Sequence, residues 1–239
     1  MTAAGRLGVG IVGAGRVGPV LGAALAGTGH AIVGVATVSD AGRERAEALL
    51  PGAPRLDVRT LVERSELVLL AVPEEELAGL VAGLAEVGAW LPGQLVVHTA
   101  PGAGVGVLAP AAAAGAIPLA LNPAMAFTGT SMDLARLQSA YCAVTASGPV
   151  LPIGLALAVE MGCEPVVIAE ADRPAWAAAL SSVVEPMATV VRSSAALLRE
   201  IGIESPDRVL GPVARSGLER ALAAAVAPAP PPLLDPEPE

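Results

Sequence analysis

The sequence predicts an α/β fold: a doubly wound parallel sheet followed by a short all-helical domain. Three observations carry this expectation. Short apolar runs alternate with stretches of helical length as far as Ala169. The first run, Leu7 to Val12, opens directly into a glycine-rich turn. Near Asp172 the alternation stops, and apolar residues fall at helical spacing instead.

The elements follow in order. Leu7 to Val12 is unbroken and apolar, as a strand buried on both faces requires. Val17 to Ala26 reads as a helix, Ala31 to Thr37 as a second strand and Ala41 to Leu50 as a polar-faced helix. A short element at Arg55 to Asp57 leads into a helix near Thr60 to Arg64. Leu67 to Val72 is a strand, and Glu74 to Val87 is a helix with three acids where its dipole favours them. Leu95 to Thr99 is a strand, Val105 to Ala114 an alanine-rich helix, and Ile117 to Leu121 a strand. Tyr141 to Thr145, a helix near Leu151 to Met161, and Pro165 to Ala169 extend the sheet. From Arg173 to Ile201, Trp176, Leu180, Val184, Met187, Val191 and Leu198 mark a long helix, which Pro186 should kink. A last helix covers about Pro206 to Ala225, and the proline-rich end reads as a disordered tail. The expected domains are 1–171, 172–226 and the tail 227–239.

Composition narrows the function. The chain has 239 residues with 54% hydrophobic and 2% aromatic, so aliphatic side chains must build the core. All 14 basic residues are arginine, which excludes lysine-based chemistry. A net charge of -9 argues against a nucleic-acid surface and suits a protein handling small molecules. Two cysteines and two histidines give no metal cluster and no disulfide framework. Val87 to Met132 holds no charged residue, but Pro92, Pro101, Pro110, Pro118 and Pro123 interrupt it. A membrane span needs ~20 unbroken apolar residues, so the segment reads as a buried sheet region around an apolar cavity. No charged leader with an apolar core opens the chain, and a cytoplasmic protein is expected.

The stretch IVGAGRVG places Gly13, Gly15 and Gly18 between a buried strand and a helix. In that context the first glycine permits a tight turn, the second lets backbone approach a pyrophosphate, and the third lets helix and strand pack closely. Ala14, Arg16 and Val17 complete the turn, and the helix N-terminus offers free N–H groups to phosphate. The second strand ends Ala36-Thr37-Val38-Ser39, with no acid at its end to bind ribose hydroxyls. Ser39, Arg43 and Arg45 are placed to meet a 2′-phosphate, or the two arginines only solvate a helix face; on the first reading NADP (as NADPH) is expected over NAD.

Ala71-Val72-Pro73 before an acidic helix, then LVVHT, IPLALNPAMAFTGTSMDL and EPVVIAEADRPAWAAAL, carry a resemblance. Over roughly residues 5 to 222 the chain resembles a bacterial Rossmann-like oxidoreductase family with a helical C-terminal domain of unknown function. That family is related to ketopantoate reductase and pyrroline-5-carboxylate reductase. The resemblance implies a Rossmann-type fold, a nicotinamide cofactor, and a loop at Val72 and Pro73 near the nicotinamide. The substrate half diverges: Asn122 stands where the family usually has histidine, and Ser182 and Glu185 stand where it has a His-x-x-Asn pair. The family pattern also continues for further helices beyond the proline-rich end.

Hydride transfer needs the ring held against a C=O or C=N carbon, with a proton donor at the heteroatom. Asn122, at the carboxyl end of a strand, could bind the heteroatom, or it could shape a turn with Pro123. Glu185 in SSVVEPM could be a general acid with a raised pKa, or a solvent-facing residue. His98 could shuttle protons or be a satisfied strand-end histidine, and Thr99 could touch the nicotinamide ribose. Tyr141 and Ser131 are lesser hydroxyl donors. The expected function is an NADP-dependent reductase of a small, largely apolar carbonyl or imine, in a specialised biosynthetic pathway, acting as a homodimer. The alternatives are a non-redox catalyst of cyclisation or isomerisation, and a non-enzymatic dinucleotide-binding protein.

Overall fold

The computed structural model describes residues 6–226. The predicted tail, 227–239, lies outside the described residues. The alternation resolves into β1 (Gly8–Val12), α1 (Gly18–Gly27), β2 (Ala31–Ala36), α2 (Asp40–Leu49), α3 (Val58–Arg64), β3 (Leu67–Leu70) and α4 (Glu74–Glu86). It continues with β4 (Leu95–His98), a 3-10 turn Val105–Leu108, α5 (Ala109–Ala113), β5 (Ile117–Pro123), α6 (Met132–Leu137), β6 (Tyr141–Thr145), α7 (Leu151–Glu160) and β7 (Glu164–Val167). Two longer helices follow, α8 (Arg173–Glu200) and α9 (Pro206–Val226).

The seven strands form one sheet in the order β2-β1-β3-β4-β5-β6-β7. The order reverses between β1 and β3, so a crevice opens beyond their carboxyl ends, where such sheets bind ligands. The short element before α3 is a single bridge, Val35 to Arg55, at the sheet edge.

One pair departs from the all-parallel sheet that the sequence predicts: β5 and β6 run antiparallel, with Asn122 opposite Ala143. The physical reason lies in the connection. The chain after β5 stays beyond the carboxyl ends of the strands, where a β-carbon on Gly129 would stand 3.2 Å from the Arg16 Cα. It therefore re-enters the sheet from that side. The short α6 in this connection has no counterpart in the sequence reading.

Side chains alternate across the sheet with the two-residue strand period. Val9, Ile11, Leu67, Leu69, Val97, Leu119 and Leu121 face α1 and α7. Val12, Val68, Leu70 and Val96 face α3, α4 and the 3-10 turn through Leu61, Leu77, Val81 and Leu108. Each fully buried residue of this size contributes about 1.5–3 kcal/mol of transfer free energy. Aliphatic packing on both faces thus fixes the strands whose ends carry the site. The two cysteines, Cys142 and Cys163, are buried and free.

The described residues divide between Ser181 and Ser182 into two compact units. The first turns of α8 therefore belong with the sheet, because Arg173 is buried there. Its Nε donates to Thr145 Oγ1 at 2.8 Å, and its Nη2 donates to the carbonyls of Ala120 at 2.7 Å and Ala143 at 3.2 Å. Helix α8 carries Pro186 in its interior without ending there. The second unit holds the rest of α8 and α9, whose apolar residues are largely exposed.

Candidate functional site

The glycine turn separates structural need from ligand need. Gly13 has φ +97°, and a β-carbon on it would overlap the Ala71 carbonyl. Its N–H closes the turn onto Ala36 O at 2.9 Å. A β-carbon on Gly18 would overlap the Gly13 carbonyl oxygen. At Gly15 nothing lies within 4 Å of that position. The fold needs glycine at the first and third places. At the second, the missing side chain leaves open space at the border of two cavities.

Helix α1 begins at this open place with no side-chain cap and no acid in its first turn. Its neighbours differ: Ser39 caps α2 and Asp57 caps α3 through their side chains. The first N–H groups of α1 therefore keep their positive end toward the crevice. Arg16 stands in the turn itself, and Arg45 donates to the Ala14 carbonyl at 3.4 Å.

Two cavities meet here. One, of about 460 Å³, is lined by Gly13, Ala14, Thr37, Ser39, Val58 and Leu80 among others. The other, of about 400 Å³, is lined by Arg16, Val17, Thr99, Asn122, Met125 and Phe127 among others. Gly15, Ala71, Val72 and Pro73 border both. Two chambers on either side of an anion-ready backbone suit the two halves of a dinucleotide, and the residues present fit that group.

At the end of β2, Ser39 Oγ accepts from Gly42 N at 3.0 Å, and Val38 is 97% exposed. Arg43 donates to the Val38 carbonyl at 3.2 Å and pairs with Asp40. Ser39 lines the first chamber, and Arg43 is held beside it.

In the second chamber Asn122 is an ordered strand residue, not a turn former. Its Nδ2 donates to Thr99 O at 3.0 Å, and its Oδ1 accepts from Trp176 Nε1 at 2.8 Å. Thr99 thus meets Asn122 through its backbone, and its N–H donates to Leu70 O at 3.2 Å. The loop after β4 is clamped by two carboxylates. Glu74 accepts from Gly102 N at 3.0 Å, and Glu170 accepts from Val105 N at 2.8 Å and Gly106 N at 2.9 Å.

The loop bearing Met125 and Phe127 is organised by Asp133, which is fully buried. Asp133 accepts from Thr128 N at 2.7 Å and Gly129 N at 2.8 Å, and pairs with Arg136 at 3.0 Å. Burial opposes its charge, but the Gly129, Thr128 and Arg136 hydrogen bonds outweigh burial and hold its carboxyl below the usual range. Sequence reasoning missed Asp133, Glu74, Glu170, Arg173 and Trp176 as site-shaping residues. The FTGTSMD stretch carried the available signal for Asp133, since a carboxylate near a threonine–glycine turn is placed to accept its backbone N–H groups.

Two expected catalytic residues stand elsewhere. His98 is fully buried, and its Nε2 hydrogen bonds to Gly104 O at 2.9 Å. A carbonyl only accepts, so that nitrogen bears the proton, and Nδ1 has no partner among the described residues. Burial pushes its pKa down to about 4. A neutral ring sealed in the core is not a proton shuttle. Glu185 is exposed in the single chain rather than enclosed, because its neighbours Val183 and Val184 are themselves 53% and 49% exposed. Tyr141 is half exposed on β6, and Ser131 precedes α6.

Comparison with known families matches residues 2–123 to a Rossmann-like domain and residues 140–229 to a domain of unknown function, DUF2520. The chain belongs to the Rossmann-like domain family. No protein of curated function matches this Rossmann-like chain. Solved structures share its fold. A candidate NADP oxidoreductase from Bacteroides fragilis has a TM-score of 0.72 at 17% identity, over 90% of this chain and 80% of that one. A 1-pyrroline-5-carboxylate reductase from Streptococcus pyogenes has a TM-score of 0.65 at 18% identity, over 98% and 87%. An imine reductase variant from Myxococcus stipitatus, in complex with NAD+, has a TM-score of 0.58 at 19% identity, over 92% and 77%.

Proposed function

We propose that this chain is an NADP-dependent reductase that transfers hydride to a small, largely apolar carbonyl or imine. The carrying observation is the pair of chambers joined at Gly15, where packing around the β1–α1 turn leaves open space. The Rossmann-like neighbours that act on imines or pyrroline carboxylates support the reading.

The reduced nicotinamide supplies the hydride. This chain's part is to bind, orient and exclude water. The α1 N-terminus, Gly15 and Arg16 receive the diphosphate, and Ser39 and Arg43 select a 2′-phosphate. Val72, Pro73 and Thr99 border the ring. Asn122 offers the remaining Nδ2–H to the substrate heteroatom. Met125, Phe127, Pro101 and Pro123 give the chamber its apolar walls. The heteroatom takes its proton from the medium as the product leaves.

A homodimer accounts for the exposed apolar residues of the second unit, where Val183, Val190, Leu197, Val213 and Leu222 are each more than half exposed. The span Glu170–Glu200 is also long and apolar enough to cross a membrane by length and composition. Glu185, Pro186 and Arg192 near its middle favour a protein partner over lipid, and we assign the chain to the cytoplasm. Sedimentation of the purified chain tests this, with a dimer expected and a monomer contradicting it.

The functional test is NADPH titration followed by turnover on a panel of carbonyls and imines. Binding with nicotinamide-dependent turnover supports the reductase. Turnover without nucleotide points to a non-redox catalyst, and binding without turnover to a dinucleotide-binding protein.

A further inference from the structure

We infer that Trp176 is a positioning residue that locks the carboxamide of Asn122 for its ligand in the second chamber. The inference rests on the reductase reading above and assigns a part to a residue outside the chamber lining.

The argument begins at Arg173. Its guanidinium is fully buried and fixes the first turn of α8 to three acceptors on β5 and β6. Trp176 is three residues further along the same helix, so it projects from the same face. Its indole N–H therefore arrives at Asn122 Oδ1 at 2.8 Å, across 54 residues of sequence. An indole nitrogen can only donate, and the Thr99 carbonyl can only accept. Between them they decide which end of the Asn122 amide is oxygen and which is nitrogen. A free carboxamide could flip and present either end. This one cannot flip without leaving a donor facing a donor and an acceptor facing an acceptor. What remains is one Nδ2 hydrogen of fixed sense, on a residue that lines the chamber beside Thr99, Pro101 and Pro123. A carbonyl oxygen or an imine nitrogen needs that donor.

The chain supplies its own control. It has two tryptophans, and Trp90 donates its indole N–H to the Val81 carbonyl at 3.1 Å, buried behind α4. In a nitrogen–proton correlation spectrum of isotope-labelled protein the two indole signals report separately, and Trp176→Phe assigns them. The experiment combines this spectrum with NADPH affinity and with turnover of two probes, pyrroline and cyclohexanone, in Trp176→Phe, Asn122→Ala, Asn122→Asp and the Trp176→Phe/Asn122→Ala double variant.

Asn122→Ala is expected to shift the Trp176 indole signal and speed its hydrogen exchange, with Trp90 unmoved. NADP+ should shift the Trp176 signal in the wild type, and that response should vanish in Asn122→Ala. Trp176→Phe should lower kcat on the order of tenfold through misplacement of the donor, with the NADPH Kd changing by less than about twofold. The double variant should be no worse than Asn122→Ala alone, because the two residues act as one unit.

Wild-type kcat and KM in Trp176→Phe, with NADPH binding intact, overturn the inference and leave the reductase reading standing. If the wild type binds NADP+ but turns over neither probe, the Trp176 signal decides: a response lost in Asn122→Ala supports positioning, and no response overturns it. If the wild type binds neither NADP+ nor NADPH, the reductase reading fails and takes the inference with it.

Discussion

Gly18 stands so close to Gly13 that a β-carbon on it would overlap the Gly13 carbonyl oxygen, whereas the same atom on Gly15 would meet nothing. One turn thus contains a glycine demanded by packing and a glycine that packing ignores. Gly18→Ala should destabilise the fold by about 1–3 kcal/mol through overpacking. Gly15→Ala should change stability by less than about 0.5 kcal/mol yet weaken NADPH binding on the order of tenfold or more. Urea unfolding and calorimetric titration of the two variants check this.

Arg173 satisfies two strand carbonyls and the Thr145 hydroxyl while fully buried. Arg173→Ala removes a donor from each of those acceptors and frees the start of α8. A loss of about 2–4 kcal/mol is expected, with Arg173→Lys recovering only part, since an ammonium cannot span the fork. The check is the urea midpoint of each variant.

His98 makes acid stability a testable quantity. Its pKa falls from 6.5 in the open chain to about 4 in the fold, because burial disfavours the imidazolium. Between those values the unfolded chain binds the proton and the folded chain does not. Stability therefore falls as pH drops from 6.5 toward 4, by about 3 kcal/mol from this residue. Asp57 and Asp133 are held low, so their contributions are lost only below pH 3.8. In His98→Gln the slope between pH 6.5 and 4.5 should flatten. Unfolding curves at several pH values measure it.

Arg43 lies beside Ser39 at the rim of the first chamber, tied to the Val38 carbonyl. Arg43→Ala should raise the NADPH Kd on the order of tenfold, because a charged hydrogen bond to phosphate is lost. The NADH Kd should hardly change. Parallel fluorescence titrations with the two reduced nucleotides test the preference.

Much of the first unit was legible because its rules are local. A buried strand opening into a Gly13–Gly15–Gly18 turn states its own geometry, and the apolar runs at Leu67 and Leu95 mark central strands without further context. What was not legible depends on contacts far apart in the chain. The antiparallel β6 follows from where the loop after Asn122 travels, which periodicity does not encode. His98 and Glu185 were chosen by residue type, but burial decides their chemistry, and burial follows from packing: His98 is sealed against Gly104, and Glu185 sits on an exposed helix. The Trp176–Asn122 bond joins residues whose spacing carries no pattern, and Trp176 read simply as part of an apolar stripe.

The central claim is that the backbone at Gly15 receives the diphosphate of a nicotinamide dinucleotide. Isothermal calorimetry of the wild-type chain with NADPH, repeated on Gly15→Ala, tests it most directly. The account predicts saturable binding at one site per chain, weakened on the order of tenfold or more in the variant while its unfolding midpoint is kept. Absence of heat with NADPH, NADP+, NADH and NAD+ alike, or equal binding by the variant, would contradict it.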